Sequence, residues 1–168
     1  MNNYMMDILK TIMAIDSPSG YTKKVTEFCK QEAESLGYKT EYNKKGNLLI
    51  HVDGKDDYTI GFCGHVDTLG LMVRSIKANG TLAFTNVGGP LLPTLDGEYC
   101  RIITRDDKVY TGTILSNSPA AHVFKDASSA SRELDNMHVR IDEIVKSKDD
   151  VLKLGIQNGD YIAIDTKT

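Results

Sequence analysis

The chain has 168 residues, of which 40% are hydrophobic and 26% are charged, and its formal net charge is -3 at pH 7. This length predicts one domain or two small ones, and the interspersed charges leave no basic face of the kind that binds nucleic acid. Three widely spaced cysteines predict reduced thiols in the protein core and a cytoplasmic location, and the sequence shows neither a signal-peptide pattern nor a membrane span.

The first part of the chain predicts helices and strands that pack together. Apolar spacing and turn signals indicate a helix over 4–13, a turn over 16–20, a helix over 25–36, and strands over 39–42 and 47–52. Gly37 fits a left-handed C-cap at the end of the second helix. We expect both helices to cover one sheet.

An apolar run that begins at Tyr58 and ends in a histidine and an aspartate predicts a buried strand with a polar end. Because residues two apart on a strand point to the same side, His65 and Asp67 would project together from its C-terminal end. One imidazole nitrogen could then bind a divalent ion, while the aspartate fixes the ring. A His-x-Asp triplet alone is weak evidence, because a hydrogen-bonded structural histidine is the more common alternative.

After Asp67 the sequence changes to short β-prone segments separated by turns, which predicts a second, β-rich domain built as a small barrel. The candidate strands are 71–76, 81–84, 99–104, 109–115, 137–141 and 160–164. Ser147 and Asp150 resemble a capping box that opens a short helix, which runs through Leu154 and is closed by Gly155.

Several motifs, in order along the chain, resemble the glutamyl aminopeptidase and deblocking aminopeptidase family of di-metal enzymes, some of which assemble as tetrahedral particles. The motifs are Pro18-Ser19-Gly20, Gly46-Asn47-Leu48, Gly64-His65-Val66-Asp67, Leu69-Gly70-Leu71-Met72-Val73, Val87-Gly88-Gly89 and Leu154-Gly155-Ile156-Gln157-Asn158-Gly159-Asp160. The resemblance implies an α/β fold class, with an incomplete α/β catalytic domain over 1–69 and an inserted β-barrel dimerisation domain over 70–165. Residues 166–168 would start the return to the catalytic domain.

The resemblance also implies a chemistry, with His65 as a metal ligand and Asp67 as the catalytic carboxylate beside it. Two zinc or cobalt ions would activate a water molecule that hydrolyses the N-terminal residue from a peptide substrate, with a glutamate as general base. The family's other metal ligands and its glutamate lie beyond the point that corresponds to Thr168. Thr68 is a further departure, because family members commonly carry glutamate there.

We therefore expect this chain to be the N-terminal part of a metallo-aminopeptidase, inactive alone and without tightly bound metal. Each zinc of such a site needs at least three protein donors, and a bridging carboxylate joins the pair. The alternative is a stand-alone self-association module, or a pseudoenzyme, in which the His-Asp pair is vestigial. A homo-oligomer, either a dimer or a dodecamer, is expected for the complete protein, with no nucleic-acid or membrane partner.

The remaining candidate side chains are assigned local roles. His51, His122 and His138 are expected to be structural or surface residues rather than ligands. The acidic pairs at 56–57, 106–107 and 149–150 occupy predicted turns or a helix start, where carboxylates are favoured for local reasons. An endoglucanase is discounted, because nothing resembles the carboxylate pair that flanks a scissile glycosidic bond.

Overall fold

The computed structural model of the chain describes residues 2–165, and the predicted return to the first domain at 166–168 lies outside them. The chain folds as two compact units, with the boundary between Thr68 and Leu69. Within the described residues, no helix has both the length and the apolar character that crossing a bilayer requires.

The first unit contains two helices and a β-hairpin, as predicted. Its elements are α1 (Asn2–Ala14), α2 (Lys23–Ser35), β1 (Lys39–Tyr42) and β2 (Leu48–His51). The strands pair antiparallel, and the side chain of Asn43 closes the turn between them by accepting hydrogen bonds from the backbone N–H groups of Lys45 and Asn47, at 2.9 and 3.0 Å. Gly37 adopts the positive φ, 88°, that a left-handed C-cap requires.

The apolar interior of this first unit is small. Among its described residues only Val25 and Ala33 are buried apolar side chains, and only Val25 is completely covered. An open apolar cavity of about 250 Å³ lies between the two helices and the hairpin, and its lining consists of Ile8, Ile12, Phe28, Cys29, Glu32, Ala33, Leu36, Tyr38 and Ile50. The unit therefore rests on few buried contacts.

The strand expected between Tyr58 and Asp67 is absent, so that prediction was wrong. Residues 59–67 have no regular secondary structure, and no strand in the described part of the chain pairs with them. A strand needs a neighbour for its backbone N–H and C=O groups, and an apolar run does not supply one. Phe62 is 94% exposed and Cys63 is also exposed, so the prediction that all three cysteines lie in the core was wrong as well.

The second unit is a closed antiparallel barrel of six strands in the order β3-β4-β7-β6-β5-β8, which confirms the predicted barrel. The strands are β3 (Gly70–Ile76), β4 (Leu82–Val87), β5 (Tyr99–Ile103), β6 (Val109–Ser116), β7 (Met137–Ile141) and β8 (Tyr161–Ile164). Two short 3-10 turns, Leu92–Leu95 and Leu134–Asn136, lie between strands. The interior is fully apolar at its centre, where the largest completely buried side chains include Phe84, Leu71, Ile102, Ile114 and Ile162.

The short helix α3 (Lys148–Lys153) begins and ends as the sequence predicts. Asp150 donates its backbone N–H to Ser147 Oγ at 3.2 Å, and the Ser147 hydroxyl donates to Asp150 Oδ2 at 2.8 Å. The backbone N–H of Lys146 also donates to Asp150 Oδ2, at 3.1 Å. The hydrogen bonds that the Asp150 carboxylate accepts, mainly the one from Ser147, lower its pKa. Gly155 follows the helix with a φ of 90°.

Gly112, in the middle of β6, marks a close approach between strands, and its replacement gives a test of the barrel. A Cβ at this position would lie 2.7 Å from the backbone oxygen of Arg140, closer than real Cβ contacts allow. We expect Gly112→Ala to lower the free energy of unfolding by about 1–3 kcal/mol, the usual cost of overpacking. Urea titration followed by circular dichroism measures this, and Gly89→Ala is the matched control, because nothing lies within 4 Å of its added Cβ. Equal stability of the two variants would contradict the close approach.

Candidate functional site

Two distant segments, 17–19 and 66–68, are held side by side in the first unit. The backbone N–H of Thr68 donates to the oxygen of Ser17 at 2.8 Å, and that of Ser19 donates to the oxygen of Thr68 at 3.2 Å. Between them Pro18 forms an isolated parallel bridge with Thr68. The fully buried Ser17 also donates its hydroxyl to the backbone oxygen of Val66 at 3.0 Å. These bonds position the backbone on both sides of Asp67 without a regular strand.

The structure brings His65 and Asp67 together, although not through strand geometry. The ring Nδ1 of His65 lies 3.1 Å from the backbone oxygen of Asp67 and 3.2 Å from its Oδ1. A backbone carbonyl and an ionised carboxylate only accept hydrogen bonds, so Nδ1 carries the proton in this arrangement. In the neutral ring the other nitrogen, Nε2, then keeps its lone pair. Because the His65 side chain is 85% exposed, this lone pair is open to a ligand.

Ser19 holds the other oxygen of the same carboxylate. Its hydroxyl donates to Asp67 Oδ2 at 2.5 Å. This hydrogen bond is the largest of the causes that lower the pKa of Asp67 below its usual value, so the carboxylate is kept ionised. Sequence reasoning missed the contact. Residues 16–20 carry the pattern of a turn and a family motif, and no local pattern links Ser19 to a residue 48 positions away.

The donor set fits one ligand position of a metal site but does not make a complete site. A neutral imidazole that donates Nδ1–H to an aspartate and presents Nε2 is the arrangement that metal-binding histidines adopt. Within residues 2–165, however, no group of three or more His, Cys, Asp or Glu side chains could hold a metal ion. The described part of the chain therefore offers a single well-prepared ligand.

Two of the other histidines have local partners and the third lies on the surface, in line with the roles expected for them. His51 places Nε2 at 3.2 Å from Oε1 of Glu41 on the surface of the hairpin. His138 places Nδ1 at 2.8 Å from Oδ1 of Asn117, and burial is the main cause that lowers the pKa of its ring. His122 is exposed.

The exposed Cys63, two residues before His65, provides a chemical probe of this segment. Burial raises the pKa of the half-buried Cys29, and mainly burial raises that of Cys100 to about 12. Because thiol reagents attack the accessible thiolate, we expect Cys63 to react first at neutral to mildly alkaline pH and Cys100 to react only after unfolding.

The measurement is a time course of labelling with a chromogenic disulfide reagent. Cys63→Ser should remove the fast phase, whereas Cys100→Ser should leave it unchanged. A fast phase that persists in Cys63→Ser would contradict the exposure of this segment.

Comparison with known proteins gives consistent matches. The model of the M42 glutamyl aminopeptidase family matches residues 46–168. Among curated relatives, YhfE of Bacillus subtilis, which carries an aminopeptidase name, is 39% identical over 163 residues, 96% of this chain and 47% of that protein. The glutamyl aminopeptidase of Lactococcus lactis is 24% identical over 166 residues, 98% of this chain and 46% of that protein.

Among solved structures, a TET aminopeptidase from a marine-sediment Thaumarchaeota archaeon matches with a TM-score of 0.84 and 26% identity. The match covers 97% of this chain and 45% of that one. These matches confirm the family resemblance seen in the sequence motifs. The chain spans less than half the length of the curated relatives that it matches.

Proposed function

The chain belongs to the M42 glutamyl aminopeptidase family, and on that basis we propose that it forms part of a metal-dependent aminopeptidase, which removes N-terminal residues from peptides. The observation that carries the proposal is the arrangement of His65, whose Nδ1 faces two oxygens of Asp67 and whose Nε2 stays open. A structural histidine of the ordinary kind is instead held by packing, and this ring is largely exposed.

The contacts of the two residues support the roles that we propose for them. His65 would bind one divalent ion, zinc or cobalt, through Nε2. Asp67 accepts a hydrogen bond from Nδ1–H and so fixes the tautomer and orientation of the ring, which also raises the basicity of the ring as a ligand. A pair of bound ions supplies the polarisation of the scissile carbonyl and the activation of water in such enzymes. In this chain the hydrogen bond from Ser19 is the main cause that lowers the pKa of the Asp67 carboxylate, which favours its ionised form.

The 168-residue chain alone is proposed to be inactive and to bind metal weakly. One histidine and one aspartate do not provide the three or more protein donors that each zinc requires. We propose that further residues of a longer protein complete the site. In that protein the first unit would belong to the catalytic domain, and the barrel would be an inserted dimerisation domain.

We further propose that the protein is a cytoplasmic homo-oligomer. The three cysteines are free thiols, which suits a reducing compartment. On the barrel unit, Leu91, Val123 and Ile144 are 72%, 74% and 94% exposed, and apolar side chains of this kind are suited to burial against a second copy. Association of the barrel would also fit the alternative function, a self-association module.

The intact mass of the native gene product separates the two functions. A protein much heavier than the 18.6 kDa of this chain supports the aminopeptidase, since it provides the residues that complete the site. A native mass equal to 18.6 kDa, with a stable oligomer and no bound metal, would favour the self-association module instead.

Substitution of His65 tests the metal-dependent reaction directly. In the complete gene product with zinc or cobalt, we expect Asp67→Asn to lower kcat/KM about 10–100-fold, the usual effect of removing a partner of a metal ligand, and His65→Ala to lower it at least as much. His51→Ala is the matched control, because its ring pairs with Glu41 on the surface. The measurement is release of the N-terminal amino acid from a short peptide. Full activity of His65→Ala would refute the assignment of His65 as a metal ligand. Release of the N-terminal amino acid by the 168-residue chain alone would refute the proposal that this chain is inactive.

A further inference from the structure

We propose that Ser19 is a positioning residue, which fixes the ring of His65 by holding Asp67 in place. This inference deepens the proposed function, because a fixed ring matters most for a histidine that serves as a ligand. Ser19 lies outside the segment 64–67, 48 residues before Asp67 in the sequence, although the two side chains are in contact.

The three side chains form a continuous chain of polar contacts. Ser19 Oγ donates to Asp67 Oδ2 at 2.5 Å, and Asp67 Oδ1 lies 3.2 Å from Nδ1 of His65. The torsion that turns a carboxylate about its Cβ–Cγ bond is broad, so one contact to a ring does not fix it. With Ser19 on Oδ2, the plane of the carboxylate is held from both sides. Oδ1 then stays directed at the ring.

The backbone of Ser19 is held by hydrogen bonds, so its hydroxyl has a defined position from which it donates to Asp67. Its N–H donates to the oxygen of Thr68 at 3.2 Å, and the turn that follows is closed by a 2.7 Å bond from the N–H of Tyr21 to the oxygen of Pro18. Gly20 provides the positive φ, 92°, that this turn uses. The serine and the aspartate therefore belong to one hydrogen-bonded frame.

Packing does not replace these contacts. The His65 side chain is 85% exposed, so neighbouring atoms restrict the ring little. A neutral imidazole in water can carry its proton on either nitrogen, and the hydrogen bond made by one nitrogen decides which form dominates. Removal of Ser19 would free the carboxylate, so that Nδ1 of His65 would keep only its 3.1 Å contact with the backbone oxygen of Asp67, and the preference for the Nδ1–H form would weaken.

The test is nitrogen-15 NMR of the histidine rings in this chain, at a pH where the imidazoles are neutral. We expect His65 to be mostly in the Nδ1–H form. In Ser19→Ala the ratio of Nδ1–H to Nε2–H should fall about fivefold, the scale of one lost hydrogen bond. Ser19→Thr keeps a hydroxyl and should restore the ratio, while Ser35→Ala, which removes a hydroxyl bonded to the backbone of Glu32 on α2, should not change it.

The rings of His51 and His138 report in the same spectrum whether the variant is folded, since both have partners of their own. An unchanged His65 ratio in a folded Ser19→Ala variant would overturn the proposal, and so would an Nε2–H form in the unsubstituted chain. Neither metal nor substrate is present in this experiment. Its outcome is therefore independent of whether the aminopeptidase assignment holds.

Discussion

The hydrogen-bonded contact between residues 17–19 and 66–68 is the constraint on which the candidate site depends. Ser17 and Val66 are 49 residues apart in the sequence, so bringing them together costs loop-closure entropy that the local bonds must offset. Two backbone bonds, which together form the parallel bridge of Pro18 with Thr68, and the hydroxyl bonds of Ser17 and Ser19 do so, with no sheet among the described residues to support them. Because Asp67 lies within the segment that they hold, its carboxylate has a defined position on an otherwise irregular stretch of chain.

The two units differ in how far their own residues pair their strands and cover their apolar side chains. The barrel closes on itself, so every one of its strands has two neighbours and its apolar centre is fully covered. The first unit has two strands, a small interior and the exposed apolar side chains of Ile60 and Phe62 just before the candidate site. Family membership together with a match to less than half of each relative fits this contrast: the barrel has a closed sheet and a covered centre, while the first unit is proposed to be completed by other residues.

Local patterns predicted most of the elements, because each depends on residues close in sequence. The capping box of Ser147 and Asp150 and the C-cap at Gly37 are of this kind, and both formed as expected. The prediction of a strand near Ile60 was wrong, because an apolar run carries no information about the neighbouring strand with which it would have to pair. The role of Ser19 was invisible for the same reason: its hydroxyl acts on a carboxylate 48 residues away, and only the three-dimensional structure shows the pairing. Proximity of His65 and Asp67 could be foreseen because the two are nearly adjacent in the chain.

The pairing of β3 with β8 determines how the barrel can form as the chain is synthesised. Leu71, in the first strand of the barrel, lies opposite Ile162, in the last. The seam therefore joins the two ends of the unit in sequence, and it can close only after nearly all of the unit has left the ribosome. Until then β3 and β5, the neighbours of β8, each present an unpaired edge next to apolar side chains. Such edges invite pairing with other chains, so the interval between synthesis of β3 and arrival of β8 is when a nascent chain of this protein is most in need of a chaperone.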